Sequence, residues 1–565
     1  SSQLGFLGWD LLAEGPFSKN SKASYMFTYR YSTLALFSAL KIPIGTDAVP
    51  QYQDASFKLN FPLKNKGNLS FFGIGGSSDI NVLISNQKES STDLYSDNDR
   101  DQKFGSKMGL IGATYTKTLK DNSYLKISVA ASSQEVAAHH QLVFRHTTDT
   151  FIKDGSTHYR FALDSLVPNL NYKFKTSTIG INAFINRKID FRTTLKYGVQ
   201  LTQYIYSFTD QNRNFDFMDS ANYWKWSTRW NAAGTGLMVQ PYIQMKWKFG
   251  KQWQLTAGLT SQIFSIADKN SGISHTSSAL ILPRAGLRYQ IDKVSSLNFG
   301  LGMHAQAQPG YTYFYILPGN AKPHNMKMDL THSNHFIVGY DRIIGKDKRI
   351  KIEAYYQQLS NIPIEKKISS FSLANTGSGF SRFFPDSLVN SGTGRNYGAE
   401  ITVEKFFTKG YYYIATFSVF DAKYKGSDGV LRNSDFNTNY ALNLLFAKEW
   451  KVSQFAVLNL GGKFTAAGSR RYSPMDTLMS RRTREYAEID ALKNTQSFGA
   501  PYLRLDIRIS YKINRKKVTH EIALDLINVT NRKNILKYSY INEAPYARQT
   551  YQLGFLPLFY YKIDF

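Results

Sequence analysis

Apolar and polar residues alternate one for one over short stretches from end to end of the chain. In YLRLDIRISYKINRKKVTHEIALDL, which begins at Tyr502, one parity holds Leu503, Leu505, Ile507, Ile509, Tyr511 and Ile513. The other holds Arg504, Asp506, Arg508, Ser510 and Lys512. Successive side chains of a strand point to opposite faces, so this period of two predicts strands with one apolar face. After a polar turn over 514–517, Ile522, Leu524 and Leu526 resume that face. Ile350, Ile352, Ala354 and Tyr356 oppose Lys351 and Glu353 in the same way, and Leu125, Ile127 and Val129 oppose Lys126 and Ser128. The chain ends on QTYQLGFLPLFYYKIDF, where Phe559, Tyr561, Ile563 and Phe565 alternate with Tyr560, Lys562 and Asp564.

Tight turns fall near 15–22, 63–67, 120–122, 187–190, 249–252, 290–293, 345–348, 407–410, 449–453 and 514–517. They make ten hairpins and, with the terminal strand, about 21 strands. Between the hairpins lie longer segments rich in Gly, Asn, Ser and Asp: 86–103, 210–235, 306–331, 366–394 and 466–500. The helix-like STLALFSALKI at 32–42 reads as part of such a loop. Short turns at one end and long loops at the other predict an all-β fold, a large antiparallel transmembrane β-barrel with short periplasmic turns and long extracellular loops. A closed sheet of that width is too wide for side chains to fill, so its interior is wet or plugged. The charged parity of the strands suits such an interior. Bacterial single-chain barrels have even strand numbers. Read as one strand, SQLGFLGWDLLAEG runs toward the short-turn end, as the terminal strand does, so one further strand is expected upstream of residue 1.

Composition supports this picture. No apolar run approaches the ~18–20 residues of a membrane-spanning helix, and mean hydropathy is negative. Barrel strands need no such run, because lipid-facing and lumen-facing residues alternate. Aromatic residues make up 15% of the chain, as interfacial girdles require. There is no cysteine, which removes disulfides, thiolate metal sites and thiol catalysis. The start, SSQLGFLGWD, lacks a Met and reads as processed or truncated. The formal charge of +27 favours anions such as lipid phosphates or an acidic ligand, or is spread over solvated loops. No basic helix or stacking-sheet motif points to nucleic acid.

No G-x-S-x-G elbow, Walker A loop or H-E-x-x-H motif is present, so neither an enzyme nor a cofactor is expected. His139, His140, His146 and His158 make a poor metal site, because an adjacent pair on a strand points to opposite faces. Two loop stretches are candidates for ligand contact. NYWKWSTRWN offers Tyr223, Trp224, Trp226, Arg229 and Trp230, and PGYTYFYILPGN offers Tyr311, Tyr313 and Tyr315. Aromatic rings beside cations stack on sugars or flat ligands; packing within loops or at the interfacial girdle is their commoner role. The basic loop at 469–486, with Arg470, Arg471, Arg481 and Arg482, is a candidate for lipid phosphates or an anionic ligand, a solvated loop being commoner.

AEGPFSKN followed by YMFTYRYSTLALFSAL at 13–40, RNYGAEITVEKFF at 395–407, EIALDLINVTNRKN at 521–534 and the closing strand together resemble the barrel of TonB-dependent outer-membrane receptors, particularly those of Bacteroidota. The resemblance covers essentially the whole chain and implies a 22-stranded barrel in the outer membrane of a Gram-negative cell. It implies a plug domain and a TonB-engaging segment upstream of residue 1, neither of which is in these residues. It implies uptake of a scarce or large ligand (siderophore, glycan, peptide or corrinoid) with TonB-derived energy. The alternatives are a plugless passive pore or surface-binding barrel; a surface lipase or a soluble carbohydrate-binding protein has little in the sequence to support it. The implied partners are outer-membrane lipid including lipopolysaccharide, the TonB complex, the barrel-assembly machinery and, in the glycan branch, a surface lipoprotein. Phe559, Tyr561, Ile563 and Phe565 resemble the C-terminal signal read by that assembly machinery.

Overall fold

The alternating stretches fold into antiparallel strands, each paired with its neighbours in chain order, and the last pairs with the first. A computed structural model describes the chain except residues 35–49, 65–66, 90–98, 121, 154–155, 214–224, 378–382, 484 and 542–545, and the side chains of 153, 156 and 157. The helix-like segment at 32–42 lies almost wholly outside the described residues. The sheet holds 24 strands, of which Ser274–Thr276 and Leu431–Asn433 are short flaps paired on one side only. The other 22 form a closed ring.

All ten short turns connect neighbouring strands, from Pro16–Ser24 to Asn514–Thr519. Their chemistry is local. Between Thr408 and Tyr411 the loop is Lys409 and Gly410, at φ 54° and 77°, the two positive values a two-residue type I′ turn needs. In two other turns an Asp accepts the amides two and three residues on. Asp190 Oδ1 takes Arg192 N at 2.6 Å and Thr193 N at 2.8 Å; Asp292 Oδ1 takes Val294 N and Ser295 N, both at 2.8 Å.

The strand count corrects the sequence reading. SQLGFLGWDLLAEG is two strands, Ser2–Gly5 and Trp9–Pro16. Gly5 N donates to Gly8 O at 2.9 Å and turns the chain at Phe6 and Leu7, apolar residues that look like strand in the sequence. A Cβ on Gly8 would meet Tyr31 O at 2.9 Å, so this turn needs glycine. Ser2–Gly5 pairs with Trp9–Pro16 on one side and Leu556–Asp564 on the other, with Leu4 opposite both Trp9 and Tyr561. The ring therefore closes on strands of this chain, and the strand expected upstream is Ser2–Gly5 itself.

Register fixes what shares a face. Tyr511, Ile522 and Tyr561 lie side by side on adjacent strands. On that face Ile509, Ile522 and Phe559 are exposed. On the other face Arg508 stands opposite Asp525 and Lys512 opposite Glu521. Arg508 pairs with Glu521 at 3.4 Å and with Asp525 at 3.6 Å, and Lys512 reaches Glu521 at 3.8 Å. Charges cannot face hydrocarbon cheaply, so the apolar parity is the outer wall and the charged parity lines the lumen. Ser123–Lys153 and Ser156–Lys188, of 31 and 33 residues, far exceed the ~9–11 residues that span a bilayer. They continue outward as a long hairpin that carries all four histidines named above.

Two outcomes follow. Leu444→Arg, on the outer wall, is expected to cost ~2–4 kcal/mol in denaturant unfolding, and lumenal Asn443→Arg less than about 1 kcal/mol; equal losses would reverse the faces. The hydrogen bonds donated by the backbone N–H of Arg192 to Asp190, and of Val294 to Asp292, hold both carboxyls below their usual value. Their contribution is present above pH ~4 and fades as pH falls through the lowered value. Hydrogen exchange at Thr193 and Ser295 should then speed up on acidification; unchanged protection would count against it.

Candidate functional site

At the long-loop end the barrel is filled from within by its own loops. A bulge starts the arrangement. Thr228 pairs with Gln211 but Trp230 pairs with Asp210, so Arg229 is an extra residue in its strand. Such a bulge re-aims the side chain that follows it, and Trp230 is 1% exposed on the lumenal side. Lumenal Tyr206, Phe208, Phe264 and Ile266 on neighbouring strands complete an aromatic wall.

The segment 307–330 folds against that wall. Trp230 Nε1 donates to Tyr311 O at 2.7 Å, and Ile316 N donates to Arg229 O at 2.9 Å. Phe314 occupies a notch that exists because residue 234 is glycine: a Cβ there would meet the Phe314 ring at 2.2 Å. A Cβ on Gly310 would meet the Tyr206 ring at 2.6 Å. From the next loop, Phe383 packs on Tyr311 and Phe384 on Tyr315 and Trp230, while Phe371 packs on Phe383. Burial pushes the Tyr313 phenol far above its usual value.

A polar network ties the remaining loops together. Ser370 N and Oγ donate to Asp490 at 2.9 and 2.5 Å. Asn375 and Asp435 exchange bonds of 2.9 and 2.8 Å, and Asn494 Nδ2 donates to Asp435 at 2.6 Å. Asn494 and Asn375 are buried, so these bonds cannot be traded for water without cost. Tyr472, Tyr486, Phe498 and Tyr538 stack beside this network. Burial, with Glu488 nearby, pushes the Tyr486 phenol up to about 12. Arg100, on a strand of the far wall, pairs with Glu485 at 3.0 Å, so the loop 468–501 reaches across the mouth.

The two aromatic stretches singled out in the sequence thus pack on each other. Trp230, Tyr313 and Tyr315 are buried and present no free ring face to a ligand in this conformation. Trp226 is exposed, with the Arg213 guanidinium 4.7 Å over its ring. Arg229 is held by Asp210 at 2.7 Å and lies 4.2 Å over the Phe384 ring. Tyr223 and Trp224 lie outside the described residues. Arg470 donates to Leu536 O at 3.0 Å and Arg471 to Asn439 Oδ1 at 2.6 Å. Arg481 and Arg482 end the short helix Thr477–Thr483, and Arg481 faces the Tyr546 ring at 5.4 Å. His139 and His140 turn to opposite faces, His140 edge-on to Phe104 at 5.0 Å. His146 pairs with Asp164 at 2.6 Å, and the His158 ring stacks on Phe151. Among the described residues no three His, Asp or Glu side chains gather as a metal site. Phe559, Tyr561 and Ile563 line the outer wall and Phe565 ends it, 80% exposed.

Sequence reading missed Phe314 as the keystone of its own stretch, and Phe384, Tyr472, Tyr486 and Tyr538. Phenylalanine in a Gly-rich loop was the available signal for Phe384. No signal links Phe314 to Gly234 across the sequence that separates them.

Residues 51–531 match the family described as TonB dependent receptor-like, beta-barrel. No protein of curated function matches the chain in sequence. Among solved structures, it is similar in fold to the pyoverdine outer membrane receptor FpvA from Pseudomonas aeruginosa PAO1, at TM-score 0.69 and 10% identity, covering 100% of this chain and 78% of that one. The ferric preacinetobactin receptor BauA of Acinetobacter baumannii gives 0.66 at 13% identity, covering 100% and 79%. The ferric yersiniabactin uptake receptor FyuA of Yersinia pestis gives 0.67 at 11%, also covering 100% and 79%.

Phe314→Ala should loosen the 307–330 segment by ~3–5 kcal/mol and make it the first site of limited proteolysis, while the barrel keeps its heat-modifiable migration on gels. Gly234→Leu, which evicts the same ring, should do the same. A segment as resistant as the wild type in both variants would contradict the packing described.

Proposed function

The chain belongs to the TonB-dependent receptor β-barrel family, and we propose that it takes up a scarce or large ligand across the outer membrane with energy delivered through TonB. The observation that carries this reading is the mouth. A passive pore gains nothing from a roof of interlocked loops, whereas a receptor needs a fixed surface on which to capture its ligand before passage. The Phe314 notch, the Ser370–Asp490 and Asp435–Asn494 bonds and the Arg100–Glu485 pair supply that fixity. The charge of +27 and the arginines of the 468–501 loop favour an anionic ligand. Siderophores fit that preference, and the structures similar in fold include receptors for ferric preacinetobactin and ferric yersiniabactin; acidic glycans, peptides and corrinoids remain within it. The candidate contacts accessible at the surface are Trp226, Arg470 and Arg481.

In this proposal the lumen is filled by a plug encoded upstream, which carries the TonB-engaging segment. The motifs at 13–40, 395–407 and 521–534 favour a receptor of the Bacteroidota type. Outward display of Phe559, Tyr561 and Ile563 on the last strand suits recognition by the assembly machinery. No covalent chemistry is assigned to the barrel.

The test is uptake by cells carrying the native gene, measured before and after collapse of the inner-membrane proton gradient. Surface binding should persist and accumulation should stop. Accumulation that continues at the same rate would overturn energised uptake in favour of a passive pore.

A further inference from the structure

At the short-turn end the chain repeats one feature that strand pairing does not require. Nine of the ten short turns hold a lysine or arginine, and the tenth, 452–455, follows Lys451 directly. Lys64, Lys251, Lys293, Lys346, Lys516 and Lys517 are all exposed. Among the described residues no turn cation makes an ion pair. The turn between Thr408 and Tyr411 keeps its charge where conformation argues against it. Its first residue has φ 54°, a value that asparagine or glycine takes most easily, yet that residue is Lys409.

The carboxylates that could neutralise this rim are engaged elsewhere. Asp190 and Asp292 each accept two amides of their own turn. Asp347 is held by Lys405 at 3.2 Å and by the Thr408 hydroxyl. Glu404 and Glu521, on adjoining strands, face the lumen, where Arg349 and Arg508 pair with them at 3.2 and 3.4 Å. Glu14 and Glu449 are on the lumenal parity too, opposite Met26 and Asn459.

The cations also stand past the end of the membrane wall. Phe249 and Trp253 pair across one turn with their rings stacked 6.0 Å apart, and Lys251 sits at the turn between them. Aromatic residues of this kind mark the interface. Turns recur every second strand, roughly 10 Å apart, which is about one Debye length at 0.1 M salt. Their fields therefore add into one positive ring that faces away from the bilayer.

We propose that this rim seats the barrel on a carboxylate-bearing polymer of the periplasm, the peptidoglycan of the cell wall. The occupant follows from the shape of the ring. A lipid headgroup approaches the wall from its side and reaches only the cations that lean outward. A sheet-like polyanion beneath the membrane meets all ten turns end-on, and many individually weak charge pairs then act together. The seat is separate from the mouth and independent of the ligand captured there.

The test is co-sedimentation with purified sacculi, using protein extracted in neutral detergent from cells that carry the native gene. Sacculi whose carboxylates have been converted to amides serve as the comparison. The wild type should sediment with untreated sacculi at ~50 mM salt and be released at ~1 M, where the Debye length is about 3 Å. It should stay in solution with the amidated ones. Lys64→Glu, Lys251→Glu, Lys516→Glu and Lys517→Glu together should lower retention about tenfold or more. Arginine at the same four positions should preserve it. Lys366→Glu, Lys367→Glu, Lys425→Glu and Lys533→Glu, an equal charge change at the long-loop end, should leave it intact. Heat-modifiable migration on gels checks that each variant keeps its barrel. Wild-type retention in the glutamate variant of the rim, or equal retention on amidated sacculi, would overturn the proposal. So would a rim variant that keeps sacculi but loses phosphatidylglycerol in native mass spectrometry, which would assign the rim to inner-leaflet lipid.

Discussion

A bilayer offers no partner to a backbone N–H or C=O, so a sheet crosses it only if it has no edge. Here the edge is removed by Ser2–Gly5, four residues that face Leu556–Asp564 on one side and Trp9–Pro16 on the other. Everything else depends on that closure. It forces one parity of every strand outward into lipid and the other into a lumen too wide for side chains to fill. Arg508, Asp525, Lys512 and Glu521 can stand on adjacent strands only because the face they share is wet or plugged. It also brings both chain ends to the short-turn side, leaving the long loops together on the other.

Wall and mouth answer to different constraints. On the wall a residue has to be apolar outside and tolerable inside, and many sequences satisfy that. The solved structures share only 10–13% identity with this chain yet cover nearly all of it. At the mouth, specific fits replace generic ones: one bulge at Arg229, one notch at Gly234, one half-buried carboxylate at Asp435 receiving two asparagines. Function resides in such local arrangements.

What could be read in the sequence follows the same division. Strand alternation and turn residues are local, so the ten short turns, the face assignment and the barrel class are all legible. The strand count fell one short where the local signal is ambiguous, because Phe6 and Leu7 make an apolar turn. The long hairpin through 123–188 was not legible, since alternation does not say where the membrane ends. At the mouth the residue types are visible and their partners are not. Trp230 and Tyr311 stand out as aromatics, but the hydrogen bond that joins them and the bulge that turns Trp230 inward arise from strand pairing between distant segments. Tyr313 is attractive as a ligand contact in sequence and is the most deeply buried phenol of the loop core in the structure.

The central claim is that apolar parity faces lipid and charged parity faces water. The chain has no cysteine, so single cysteines can be introduced along 503–510 and spin-labelled one at a time in reconstituted membranes. Accessibility to oxygen, which concentrates in lipid, and to a water-soluble nickel chelate then reports each position. Oxygen should dominate at 503, 505, 507 and 509 and the chelate at 504, 506, 508 and 510, in strict alternation. The opposite phase, or no alternation, would contradict the account.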